Sequence, residues 1–92
     1  MNRQEHLLVI AAEECAEIQH AIAKALRFGL EGTGPITNAQ QIHKEFNDLL
    51  AVLRMLRGTG VSIFADGHLV QDKMDKVEHY LLDSEQRGTL DK

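Results

Sequence analysis

One cysteine, one proline, no tryptophan, three phenylalanines and a single tyrosine set the first limits on this 92-residue chain. A lone Cys15 cannot form a disulfide within the chain, which suits a reducing, cytoplasmic setting. With aromatics at 4%, there is little with which to stack bases. No excess of base compensates: 14 acids against 10 bases give a net charge of −4. Binding to DNA or RNA is therefore not expected. No apolar run is long enough to span a bilayer, so no membrane partner is expected either. The polar, acid-bearing start Met1-Asn2-Arg3-Gln4-Glu5 does not read as a signal peptide.

What remains is ordinary for a folded domain, 43% hydrophobic and 26% charged. Residues 1–92 read as one domain whose length is too small for a generous core of its own. Apolar residues recur at helical spacing in three stretches. The first runs roughly from Arg3 to Phe28, with Asn2 and Glu5 as a capping box and Gly29 as the stop. The second runs roughly from Ala39 to Arg57, capped by Thr37 or Asn38 and stopped at Gly58. The third runs roughly from Leu69 to Gln86, with Val70, Met74, Val77 and Leu81 on one face. Between the first two lies the glycine-rich loop from Gly29 to Pro35, and Val61-Ser62-Ile63-Phe64 is an apolar patch of open conformation. Alternating runs with hairpin turns are missing. The expected class is all-α, an antiparallel bundle of about three helices per chain, completed by oligomerisation.

The chemistry is signalled by acids out of place. Leu7, Ile10, Ala11, Ile18, Ala21 and Ala25 form an apolar stripe on helix 1, and Glu14 falls in its middle. Glu17 lies at its edge one turn on, and Glu13 lies beside it. On helix 2 the stripe is Ile42, Phe46, Leu49, Leu53 and Leu56, with Glu45 and Asp48 three apart along its margin. Burying an unpaired carboxylate costs several kcal/mol, on the order of the desolvation of an ion, so a counter-cation is implied. Acid pairs three apart are common on solvated faces, and either pair alone would read that way. Two pairs on successive helices, both encroaching on apolar stripes, raise a metal site to an even alternative. Oxygen donors without His or Cys suit Mg²⁺ or Mn²⁺.

Glu13-Glu14-Cys15-Ala16-Glu17 fits Glu-Glu-x-x-Glu, and Glu45-Phe46-Asn47-Asp48 fits Glu-x-x-Asp. In order and separation these motifs resemble the MazG-like family of all-α nucleoside triphosphate pyrophosphohydrolases, related to the dimeric dUTPases and phosphoribosyl-ATP pyrophosphohydrolase. The resemblance covers about two thirds of the chain, through helix 2, and more loosely helix 3. It implies Mg²⁺-dependent hydrolysis of a nucleoside or deoxynucleoside triphosphate to the monophosphate and pyrophosphate. It implies Glu14, Glu17, Glu45 and Asp48 as metal ligands, with Glu17, or else Glu14, handling the attacking water and Glu13 supporting from behind. Base identity is left open, with a lean to pyrimidines because so short a chain leaves limited room for a pocket.

Phosphate charge needs protein cations as well. Lys73 and Lys76, three apart on helix 3, are the first candidates, with Lys24 on the flank of Glu17 as an ion-pair partner for the acids. Asn47 and Tyr80 are candidates for base or sugar contacts. For each cation alone, ordinary surface solvation competes with this role. Cys15 shares a flank with Leu8, Ile22 and Leu26 and reads as a small buried hydrophobe. With Ala12 these residues make a second apolar side of helix 1, which three helices cannot cover, so a homodimer or homotetramer is expected. Two alternatives stand beside the enzyme. One is a non-enzymatic helical oligomerisation module with solvated acids. The other is a di-iron carboxylate bundle, suggested by Glu17-Ile18-Gln19-His20 but lacking a matching His after Glu45.

Overall fold

Local capping chemistry defines where each helix begins. In the computed structural model, which describes residues 1–32 and 34–91, the first helix α1 spans Arg3–Phe28. Asn2 Oδ1 accepts from the Glu5 amide at 2.8 Å, and Glu5 Oε1 accepts from the Asn2 amide at 3.1 Å. This reciprocal pair satisfies two amides that a helix start leaves unbonded. Gly29, with φ 88°, ends the helix in a conformation that a side chain would resist. Helix α2 spans Asn38–Arg57 and repeats the device, Thr37 Oγ1 accepting from Gln40 and Gln40 Oε1 accepting from the Thr37 amide. Thr37, not Asn38, is thus the cap. Asn38 instead uses its side-chain amide to hold the Gly29 carbonyl at 2.7 Å.

Helix α3 spans Gly67–Gln86, two residues earlier than its periodicity suggests. Asp66 Oδ1 accepts from the His68 and Leu69 amides at 3.0 and 3.2 Å, and this cap outweighs the poor helix propensity of Gly67. The described residues contain no strand, so the chain is all-helical. Among them, no helix is long and apolar enough to cross a membrane. Thr33 in the α1–α2 loop and Lys92 in the tail lie outside the described residues.

Helices α1 and α2 form an antiparallel hairpin. At its closed end the Ala39 amide donates to the Leu30 carbonyl at 2.8 Å. At its open end the Gln4 side chain donates to Thr59 Oγ1 and to the Thr59 carbonyl, both at 3.3 Å. Leu7, Ala11 and Leu56 are the buried centre, with Leu49, Val52, Leu53, Val61 and Ile63 packed around them. The Val61–Phe64 patch is therefore neither helix nor strand, and two of its residues close the open end of the hairpin. Alanines at 11, 21 and 25 are all buried on α1 and let α2 approach closely.

Two expectations about the stripes need correction. On α2 the buried face runs through Glu45, Leu49, Val52 and Leu56, so Phe46 lies about a third of a turn aside and is 54% exposed. On α1 Ile10 is exposed for the same reason, since Leu7 and Ala11 fix the contact line. Cys15, expected as a buried hydrophobe, is also exposed within this single chain, as are Leu8, Ile22 and Leu26.

The third helix packs against neither α1 nor α2. Its apolar face, Leu69, Val70, Met74, Val77 and Leu81, is exposed. The radius of gyration is 16.7 Å, against about 12 Å for a compact domain of this length. Accessible surface is 7479 Å², roughly 2,000 Å² above the expectation for a folded monomer of this mass.

Candidate metal centre

The hairpin brings together carboxylates from both helices. One oxygen each from Glu14, Glu45 and Asp48 lies within 4.8 Å of the others. The reason is register. Glu14 sits one turn beyond Ala11 on α1's contact line, while Glu45 sits one turn before Leu49 on that of α2. Asp48 follows Glu45 by three residues, so it projects to the same side.

Burial ranks the acids differently from the sequence pattern. Glu45, read there as marginal, is the one in the core, only 8% exposed. Glu14, read as the most deeply set, is half-buried, as is Asp48. The tilt of the α2 face that excludes Phe46 is what carries Glu45 inward. Glu45 is not left bare: Gln41 Nε2 donates to its Oε1 from one turn earlier. Lys44 Nζ donates to Asp48 Oδ2 at 3.0 Å and stands 4.0 Å from Glu45 Oε1. One ammonium is thus shared by neighbouring acids.

Electrostatics record the crowding. The Glu14 carboxyl is raised above its ordinary 4.5, first by loss of solvent, then by the negative charges of Asp48, Glu45 and Glu17, with Lys44 opposing. Lys44 is raised in turn, chiefly by its hydrogen bond to Asp48 and by the charges of Asp48 and Glu45. Three carboxylates held this close could hold a cation, and an all-oxygen donor set suits a hard divalent ion. Neither Gln41 nor Lys44 was singled out from the sequence. Each nevertheless stands four residues before the acid it holds, which is the readable signal.

The other expected site residues are placed as follows. Glu17 is exposed and stands outside the converging trio, although its charge is felt at Glu14. Glu13 is exposed. His20, the second half of the di-iron pattern, is exposed as well. Lys24 is not paired with the acids; it lines a cavity near the loop that joins the helices. Asn47 is exposed and its side-chain amide donates to the His43 carbonyl at 2.8 Å. Lys73, Lys76 and Tyr80 ride on α3, which does not touch the hairpin, so one chain alone does not bring them to the acids. No protein-family model, no curated protein and no solved structure matches the chain, so the reading of the site rests on its own chemistry.

Proposed function

We propose that the protein is a Mg²⁺-dependent nucleoside triphosphate pyrophosphohydrolase, working in the cytoplasm as a homodimer or a homotetramer. The observation that carries this reading is the convergence of Glu14, Glu45 and Asp48, one of them buried, across a two-helix interface. These three would hold Mg²⁺, with Mn²⁺ as a substitute, and Glu17 one turn away would complete the set or serve the water. The ion would supply charge neutralisation for phosphate oxygens. In the reaction, water attacks the α-phosphorus and the bond from that phosphorus to the α–β bridging oxygen breaks. In the second of its two roles Glu17 would take the water's proton, and pyrophosphate leaves with the bond's electron pair.

Surface chemistry supports the proposed assembly. A 20-residue helix with an open apolar face and a surplus of roughly 2,000 Å² fits what an obligate dimer covers. Packing of α3 on a partner's hairpin would also offer Lys73, Lys76 and Tyr80 to the partner's acids. The test is a pyrophosphate-release screen over common ribo- and deoxynucleoside triphosphates with Mg²⁺, beside a Glu14→Gln control. Release that depends on both the metal and Glu14 supports the reading. Absence of release with every nucleotide, Mn²⁺ included, refutes it.

A second reading is a helical oligomerisation module without catalysis. The observation in its favour is that Lys44 already neutralises part of the acidic cluster without any metal. Calorimetry separates the two: the module should ignore Mg²⁺ with a nucleotide analogue, and the enzyme should bind them.

A further inference from the structure

One cavity adjoins the acidic cluster without belonging to it. It measures about 470 Å³ and lies near the closed end of the hairpin, walled by Lys24, Phe28, Pro35, Ile36, Thr37 and Gln41 among others. That volume lies in the range of small-molecule sites. No acid among the described residues lines it, although the chain as a whole is acidic. Among the described residues Lys24 makes no ion pair.

The wall changes character along the hairpin. Nearest the acids stands Gln41, whose side chain bonds Glu45 and so joins cavity and cluster directly. Lys24, on α1, adds a cation to the wall. Beyond them, where α1 ends, come Phe28, Pro35 and Ile36, with the polar Thr37 and Asn38 beside them. Phe28 is 61% exposed, with the Arg27 guanidinium 4.9 Å from its ring centroid. A cation and an amide near the acids suit phosphate and sugar. An aromatic ring and apolar groups next to the polar Thr37 and Asn38 farther off suit a base, whose faces are apolar and whose edge hydrogen-bonds.

We infer that this cavity holds the nucleoside end of the substrate. The base lies against Phe28, Pro35 and Ile36, and Lys24 and Gln41 meet the sugar and its phosphate junction. The β- and γ-phosphates then extend away from the loop. The inference rests on the pyrophosphohydrolase reading and adds to it where specificity is set. The volume admits a purine as well as a pyrimidine, so the shortness of the chain does not restrict the base.

The test is nuclear magnetic resonance on the ¹⁵N-labelled full chain. The probes are a panel of α,β-imido deoxynucleoside triphosphates with Mg²⁺, compared with inorganic tripolyphosphate and Mg²⁺. The nucleotide analogues should shift the amide signals of Phe28, Ile36 and Asn38, and tripolyphosphate should not. Phe28→Ala and Ile36→Ala remove exposed side chains outside the core, so both variants should fold. Each should weaken analogue binding, Phe28→Ala by about tenfold, the order of a lost stacking contact. Tripolyphosphate shifting the same signals would make the cavity a phosphate seat and overturn the assignment. Pyrophosphate release by the wild type with these signals unmoved would overturn it too, leaving the reaction intact. Signals that move while no nucleotide is hydrolysed would keep the cavity and sink the reaction.

Discussion

Replacing Glu45 with glutamine should make the metal-free protein more stable and deaf to Mg²⁺. The carboxylate is 8% exposed and shares the Lys44 ammonium with Asp48, which holds that ammonium more closely, at 3.0 Å against 4.0 Å. Its remaining compensation is the Gln41 amide, a neutral donor that a glutamine oxygen would keep. Removing the charge leaves no buried cation unpaired, because Lys44 is itself exposed and keeps Asp48. It also relieves repulsion from the Glu14 and Asp48 carboxylates within 4.8 Å, worth roughly 1–4 kcal/mol per close pair between water-like and surface-like screening. The partial compensation by Gln41 and Lys44 places Glu45→Gln at the lower end, about 1 kcal/mol. For a domain of this length that is about 4–8 °C in Tm. Circular dichroism melts at fixed protein concentration, in EDTA and in Mg²⁺, read both effects. Wild type should gain Tm on adding Mg²⁺, and Glu45→Gln should start higher and gain nothing. A variant that melts lower in EDTA would show that the carboxylate is a structural asset. A variant that still responds to Mg²⁺ would remove Glu45 from the metal site.

Other outcomes follow from the same geometry. Because the Glu14 carboxyl is raised above 4.5 in the folded state, folding takes up a proton between that value and the raised one. The metal-free protein should therefore lose stability as pH rises through that window, and Glu14→Gln should flatten the loss; a slope unchanged by Glu14→Gln would contradict it. Val77→Asp places a charge in the open apolar face of α3 and should shift light-scattering mass toward the monomer, while a mass equal to wild type would exclude this face from the interface. Leu56, fully buried at the centre of the hairpin, should cost about 2–5 kcal/mol when cut to alanine, measured by urea unfolding. A cost under 1 kcal/mol, roughly the effect of a surface change, would mean that this centre carries little of the stability.

Helix limits and class were legible because their signals are local. Asn2 with Glu5, a cap at Thr37 or Asn38, and Gly29 each act within one turn, so the residues that decide are adjacent in the chain, although the Gln40 partner that selects Thr37 shows only in the fold. Asp66 was missed because Gly67 behind it reads as a breaker, while two amide bonds to one carboxylate decide otherwise. Glu14, Glu45 and Asp48 were legible as acids crowding apolar stripes, and the hairpin does join them. Their order of burial was not, since it depends on the rotation of α2 about its axis, which Leu49 and Leu56 set through contacts with α1. The roles given to Lys73, Lys76 and Tyr80 depend on where α3 lands, and no pattern internal to that helix specifies its neighbour.

The separation of α3 from the hairpin bears on how the molecule comes into being. A helix of 20 residues without tertiary contacts lacks the packing of an amphipathic face from which most helical stability in proteins comes. The hairpin can close by contacts within one chain and on fast timescales. If a second copy covers it, as proposed above, ordering of the third helix waits for that encounter, and its rate becomes second order in protein. Dilution would therefore unwind the C-terminal third first, and with it remove its lysines from any neighbour they serve. A nucleotide-handling activity built this way would rise more steeply than linearly with the amount of protein present.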